Sequence, residues 1–210
     1  MPFKGLFYTE RPVIGMVHLL PLPGAPGYQH NLGKIFERAV WEAEALHRAG
    51  VDGLIVENFG DEPFLAEEVE PVQLAVMAAI TRDVRRAVNL PLGVNVQYNA
   101  WAAEISIACA CGADFIRVEV FVDTVLSPQG LIQPCAASLT RMRKKLDAKV
   151  QIWADLQARH TTPIMAHSLV QSAIAAQNAR ADALILTGAL TGQAAPLEAV
   201  AEVKRSVMVP

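Results

Sequence analysis

Cysteine is scarce in this chain: Cys109, Cys111 and Cys135 form neither a CxxC pair nor a disulfide framework. Cys109 and Cys111 fall in an alanine-rich helical stretch, where small buried residues in a reducing compartment are expected. Charge is thin as well. Only 19% of residues are charged and the net charge is −3, which leaves no cationic footprint for nucleic acid. The densest basic group, Arg141, Arg143, Lys144 and Lys145, reads as the solvated face of one helix. No apolar run approaches the roughly 20 residues that a membrane span needs, and the opening MPFKGLFYTERP has neither a secretory nor a transit pattern. A cytoplasmic protein without a transmembrane segment is expected, with peripheral contact to a membrane left open. The GxGxxG fingerprint and the Walker phosphate loop are both absent, which argues against a dinucleotide-binding doubly wound sheet. No lysine ends a predicted strand, so Schiff-base chemistry is disfavoured, and no Ser or Cys nucleophile stands there beside a base.

What is present is apolar: 52% hydrophobic residues over 210 positions, enough for one domain with a large core. Strands are predicted at 13–20, 53–58, 92–97, 114–120, 150–156 and 183–188, and SVMVP begins a seventh. Between them lie helical patterns at 33–49, around Leu74 to Val88, and at 99–111, 136–146, 168–179 and 196–205. The segment FVDTVLSPQGLIQP reads as a long loop. Strand–helix alternation of this kind implies parallel βα units. An internal echo supports regular closure: AGVDGLIVEN, CGADFIRVEV and ARADALILTG share an Asp before an apolar strand. These residues, Asp52, Asp114 and Asp182, are read as turn formers at the strand starts. The fold class expected is α/β, a TIM-barrel-like (β/α)8 of which residues 1–210 supply about six and a half βα units. A complete barrel takes about 250 residues, so a single domain lacking its C-terminal units is expected. Its open strand edges would favour a homo-oligomer.

The strand DFIRVEV fixes the parity. Ile116, Val118 and Val120 share one face, and Phe115, Arg117 and Glu119 the other. A face carrying both Arg and Glu suits the interior rim of a barrel, where buried charges are paired or do chemistry. The same parity places His18, Glu57, Asn95, Glu119, Asp155 and Thr187 at the carboxyl ends of successive strands, with Arg117 one layer below. Candidate catalytic residues are therefore His18, Glu57, Arg117, Glu119 and Asp155. Candidate substrate-binding residues are Asn58, Asp61, Asn95, Gln97, His160, Thr187 and Gly188.

Two chemistries fit that rim. Glu57, Glu119 and Asp155 could hold Mg²⁺ or another divalent cation that polarises a carbonyl or phosphoryl oxygen. Alternatively, one carboxylate acts as base while His18 or a protonated partner acts as acid. Either points to a lyase or isomerase acting on a small polar, in some cases phosphorylated, metabolite.

The segments VIGMVHLLPLPGAP, AGVDGLIVENFGDEPF, LPLGVNVQYNA, GADFIRVEVF, QGLI, AD-x-x-x-x-H-T-T-P and ADALILTGALTG resemble the BtpA/SgcQ family over nearly the whole chain. The resemblance implies a TIM-barrel-like fold. It also implies a link to photosystem I, because cyanobacterial members are associated with that complex's accumulation and are peripheral to thylakoid membranes. Bacterial members sit among sugar-metabolism genes. An assembly or stability factor for photosystem I is therefore the alternative to an enzyme. This chain departs from the family in carrying Glu119 where members often have Asn, and Arg159 where they have Lys.

Overall fold

A computed structural model describes residues 2–188 and 192–210, and the chain divides into two units, Phe3–Ile116 and Arg117–Pro210. In the first unit β1 (Ile14–His18), β2 (Gly53–Glu57), β3 (Leu92–Asn95) and the start of β4 (Phe115–Val118) pair in that order, all parallel. Helices α1 (Leu32–Arg48), α2 (Pro71–Ala87) and α3 (Trp101–Cys111) connect them. The second unit continues through β5 (Val125–Ser127), β6 (Gly130–Ile132), α4 (Ala136–Lys145), β7 (Gln151–Asp155), β8 (Thr162–Pro163), α5 (Leu169–Asn178), β9 (Ala183–Ile185) and α6 (Leu197–Ser206). There β7 and β9 pair in parallel. The segment expected as a long loop instead forms the β5–β6 antiparallel hairpin, and β8 adds to β5. The turn closes between Ser127 and Gly130, whose φ of 107° a side chain would resist.

Local chemistry sets the helix limits. The Asn31 side chain caps α1 by accepting from the Lys34 N–H at 3.0 Å, and Ile35, Ala39 and Ala43 supply the buried stripe. In α2, Pro71 occupies the first turn and the Gln73 side chain accepts from the Glu70 N–H at 3.2 Å. The α3 helix ends at Gly112, with φ of 69°. Cys111 is buried but Cys109 is exposed, against expectation. Positions two apart on a helix point about 200° from each other, so one apolar face cannot hold both.

The three repeated aspartates do more than form turns. The Asp52 carboxylate accepts from the Val13 N–H at 2.8 Å, Asp114 from the Leu92 N–H at 2.8 Å, and Asp182 from the Ile152 N–H at 3.0 Å. Each backbone N–H returns a bond to the carbonyl of the same partner residue. Every clamp thus ties the start of a strand to that of its parallel neighbour, which fixes the parallel register. Arg85 of α2 and Arg143 of α4 add ion pairs to Asp114 and Asp182. Register also explains Gly93: its partner Phe115 packs its ring where a Cβ would stand. Beside β9, the Leu184 N–H donates to the Pro210 carbonyl at 2.9 Å, as the Leu54 N–H donates to Pro91 beside β2.

Candidate functional site at the strand ends

In the first unit the register aligns His18 with Glu57 and Glu57 with Asn95. Each is the last residue of its strand. In-register neighbours on parallel strands share a face and stand about 4.8 Å apart. The three side chains therefore form one row. Glu57 and Asn95 are buried, whereas His18 is exposed and stacks on Phe59 with ring centroids 4.5 Å apart.

Gln97 ties the row together, its amide donating to Glu57 Oε1 at 3.1 Å and to Asn95 Oδ1 at 3.3 Å. Behind it, Glu104 Oε1 accepts from Asn95 Nδ2 at 3.0 Å and from the Val96 N–H at 2.9 Å. Glu104 is fully buried near the start of α3, where the helix dipole favours a carboxylate. Sequence parity missed it, although it is the one charged residue in the otherwise apolar WAAEISIACAC.

Beyond the row, Asn58 and Asp61 build a second layer. Asn58 Oδ1 accepts from the Gln97 N–H at 2.7 Å, and Asn58 Nδ2 donates to Asp61 Oδ2 at 3.1 Å. Asp61 also accepts from the Leu22 N–H at 2.7 Å and from Gln73 Nε2 at 2.9 Å, so three segments converge on one carboxylate. Burial pushes the Asp61 carboxyl above the usual carboxylate range, while the Leu22 N–H and the Asn58 amide pull it down. Gly60 lets the chain pass close: a Cβ there would stand 2.6 Å from the Pro21 nitrogen and 2.7 Å from the Leu19 carbonyl oxygen. Asn58, Asp61, Gln73 and Gln97, with Glu68 and Leu65, line a cavity of about 250 Å³. Three of the expected substrate-binding residues thus meet at one cavity.

In the second unit Arg117 grips Asp155 with two parallel bonds, Nε to Oδ1 at 3.0 Å and a terminal nitrogen to Oδ2 at 2.9 Å. The Asp155 side chain is 1% exposed. Both of its oxygens serve the guanidinium. Among the described residues no three His, Cys, Asp or Glu side chains are placed to hold a metal ion. Asp155, expected with Glu57 and Glu119 to hold a cation, is here the ion-pair partner of Arg117. Glu119 is buried just past the end of β4. His160 is exposed, Thr187 is half-buried, and Gly188 lies against the backbone carbonyls of Gln193 and Ala194.

The structure adds a pair that the strand pattern could not supply. His167 Nδ1 lies 3.0 Å from Asp123 Oδ1, and the Asp123 side chain is 10% exposed. The His167 carbonyl accepts from Gln157 Nε2 at 3.0 Å, which steadies the loop. Both partners sit in loops 44 residues apart, where no periodicity announces them.

The BtpA family model matches residues 9–210. The photosystem I biogenesis protein BtpA of Synechocystis sp. is 40% identical over 193 residues, 91% of this chain and 67% of its own length. An uncharacterized protein of Archaeoglobus fulgidus is 39% identical over 201 residues, 96% of this chain and 80% of its own. Among solved structures, the N-acetylmannosamine-6-phosphate 2-epimerase from Clostridium perfringens aligns with a TM-score of 0.58 at 11% identity, covering 99% of this chain and 76% of its own. That likeness establishes the TIM-barrel fold class, and at this identity it establishes the fold alone.

Proposed function

The chain belongs to the BtpA family, and from that premise we propose that it is an enzyme of the lyase or isomerase class that moves a proton on a small polar metabolite, phosphorylated ones included. The observation that carries this reading is the in-register row His18, Glu57, Asn95 at the carboxyl ends of β1, β2 and β3, the end of such strands where TIM-barrel sites form. Glu57 is the base. Its burial weakens carboxylate solvation, and the Gln97 amide fixes the direction of one oxygen. His18, open to solvent on its strand end, is the acid partner. Asn95, backed by Glu104, and Gln97, backed by Asn58, present amide groups that orient a hydroxyl or carbonyl. Asp61 spends its bonds on the protein and acts by positioning Asn58 and the loop before it.

Arg117 held by Asp155, together with Glu119, His160, Thr187 and Gly188, is assigned polar contacts in the second unit under the same reading, and the active form is a homo-oligomer. Thermal unfolding against hydroxy acids, keto acids and sugar phosphates tests it. A ligand at about a hundred times its dissociation constant adds roughly 2.7 kcal/mol. The stabilisation should vanish in Glu57→Gln. A panel without effect, or an effect unchanged in that variant, removes the proposal.

The name of the Synechocystis relative favours a second reading, an assembly or stability factor for photosystem I. No helix among the described residues is long and apolar enough to cross a membrane, so such a role would act from a membrane surface. Restoration of photosystem I in a strain lacking its own relative, by the Glu57→Gln variant as fully as by the wild type, would support it over catalysis.

A further inference from the structure

The basic run of α4, expected as a solvated helix face, is only partly that. Arg141, Arg143 and Lys144 join Arg180, which follows α5, in lining a cleft of about 680 Å³ completed by Thr140, Asp147 and Ala148. The cleft lies near the starts of β7 and β9, where Asp182 clamps Ile152. It is thus about 13 Å, one strand length, from Asp155 at the other end of β7.

Its charge is lopsided. Four cations line it against one lining carboxylate, Asp147, in a chain whose net charge is −3. Asp182 pairs with Arg143, whose guanidinium also donates to the Arg180 carbonyl at 3.3 Å. That bond and the ion pair hold Arg143 in place, half-buried and close enough to Arg180 for the two charges to repel. Burial first, and the Arg180 charge second, lower the Arg143 pKa. Arg141 is anchored to its own helix through the Ala137 carbonyl at 2.8 Å. Lys144 and Arg180, which also line the cleft, are exposed.

Gathered cations that repel one another cost stability unless an anion joins them. The lining also defines the anion. No aromatic or large aliphatic side chain contributes, so neither a nucleobase nor an acyl chain would find a surface. The Thr140 hydroxyl is taken by the Ala136 carbonyl at 2.6 Å. Charge and guanidinium forks are what remain, and they suit phosphoryl oxygens.

We infer that this cleft binds a compact, multiply charged phosphate group, free, on a small metabolite or on a lipid headgroup. The inference is independent of the strand-end row and stands or falls without it.

Calorimetric titration with pyrophosphate tests it, with sulfate at matched ionic strength as the reference. The wild type should bind pyrophosphate more tightly than sulfate, and the affinity should fall as sodium chloride rises. The double variant Lys144→Ala/Arg180→Ala, which removes exposed side chains and should leave the circular dichroism unchanged, should bind at least tenfold more weakly. Lys145→Ala, on the same helix but outside the cleft, and Glu57→Gln should bind as the wild type does. In a parallel arm, vesicles containing phosphatidic acid, whose phosphomonoester headgroup carries more than one charge, and vesicles of phosphatidylcholine are sedimented with the protein. Selective capture by the former that the double variant loses assigns the phosphate to a headgroup. Pyrophosphate binding without capture assigns it to a soluble ligand. Equal binding of pyrophosphate and sulfate, or a double variant indistinguishable from the wild type, overturns the inference.

Discussion

Replacing the strand-start aspartates by alanine, one at a time, should give a graded loss of stability. Asp182→Ala strands the N–H of Ile152, which is fully buried, at about 1–3 kcal/mol for an unpaired donor. It also leaves the Arg143 charge facing Arg180. With the Arg143 side chain 19% exposed, the cost of breaking a buried pair is discounted to about 1–2 kcal/mol. The sum is about 3 kcal/mol. Asp114→Ala loses the Leu92 N–H acceptor and an ion pair whose partners are 21% and 34% exposed, giving about 2 kcal/mol. Asp52→Ala loses only an acceptor for Val13, which is 61% exposed, so water replaces it at about 0.5 kcal/mol. For a protein of this size about 3 kcal/mol lowers Tm by roughly 6–12 °C, and 0.5 kcal/mol by about 1–2 °C. Urea unfolding followed by circular dichroism, with m-values compared, reads the series directly. If the aspartates were turn formers only, the three losses would be alike. Equal losses, or an Asp182→Ala loss under about 1 kcal/mol, would refute the clamp account.

Three further outcomes follow from the same contacts. Arg117→Met should cost about 3–5 kcal/mol in chemical unfolding, because it strands a carboxylate with 1% exposure; a loss near zero would show that Asp155 finds another partner. Gly60→Ala should lower Tm by several degrees, since a Cβ 2.6 Å from backbone must displace the Leu19–Pro21 strand exit. Because the folded-state pKa of Asp61 is raised, the folded form holds its proton more tightly than the unfolded chain. Stability from this group is therefore fullest below about pH 4 and falls as pH rises through the raised value. The stability gap between wild type and Asp61→Asn, measured at pH 4 and pH 7, should move against the wild type with rising pH, and a gap that moves the other way contradicts the assignment.

Period and parity made the parallel units legible. Each βα unit writes its strand as a short apolar run and its helix as a stripe such as Ile35, Ala39 and Ala43. Parity further predicted polar residues at the strand ends: His18, Glu57, Asn95 and Asp155 are the last residues of theirs, whereas Glu119 and Thr187 lie past the ends of β4 and β9. What parity cannot carry is partnership. It does not say that both oxygens of Asp155 go to Arg117, nor that Glu104 reaches back from α3 to Asn95, because those bonds join residues far apart or on different elements. The β5–β6 hairpin escaped for another reason: three-residue strands carry too few positions for alternation to register. The Asp123–His167 pair escaped because loops have no period at all.

The central claim is proton transfer at Glu57, and deuterium incorporation tests it most directly. The wild type is incubated in D₂O with hydroxy acids, keto acids and sugar phosphates, and loss of substrate C–H signals is followed by proton NMR. The account predicts exchange in at least one compound, slowed at least a hundredfold in Glu57→Gln and also reduced in His18→Ala. Exchange that persists in Glu57→Gln at the wild-type rate, or no exchange with any compound in the wild type, would contradict it.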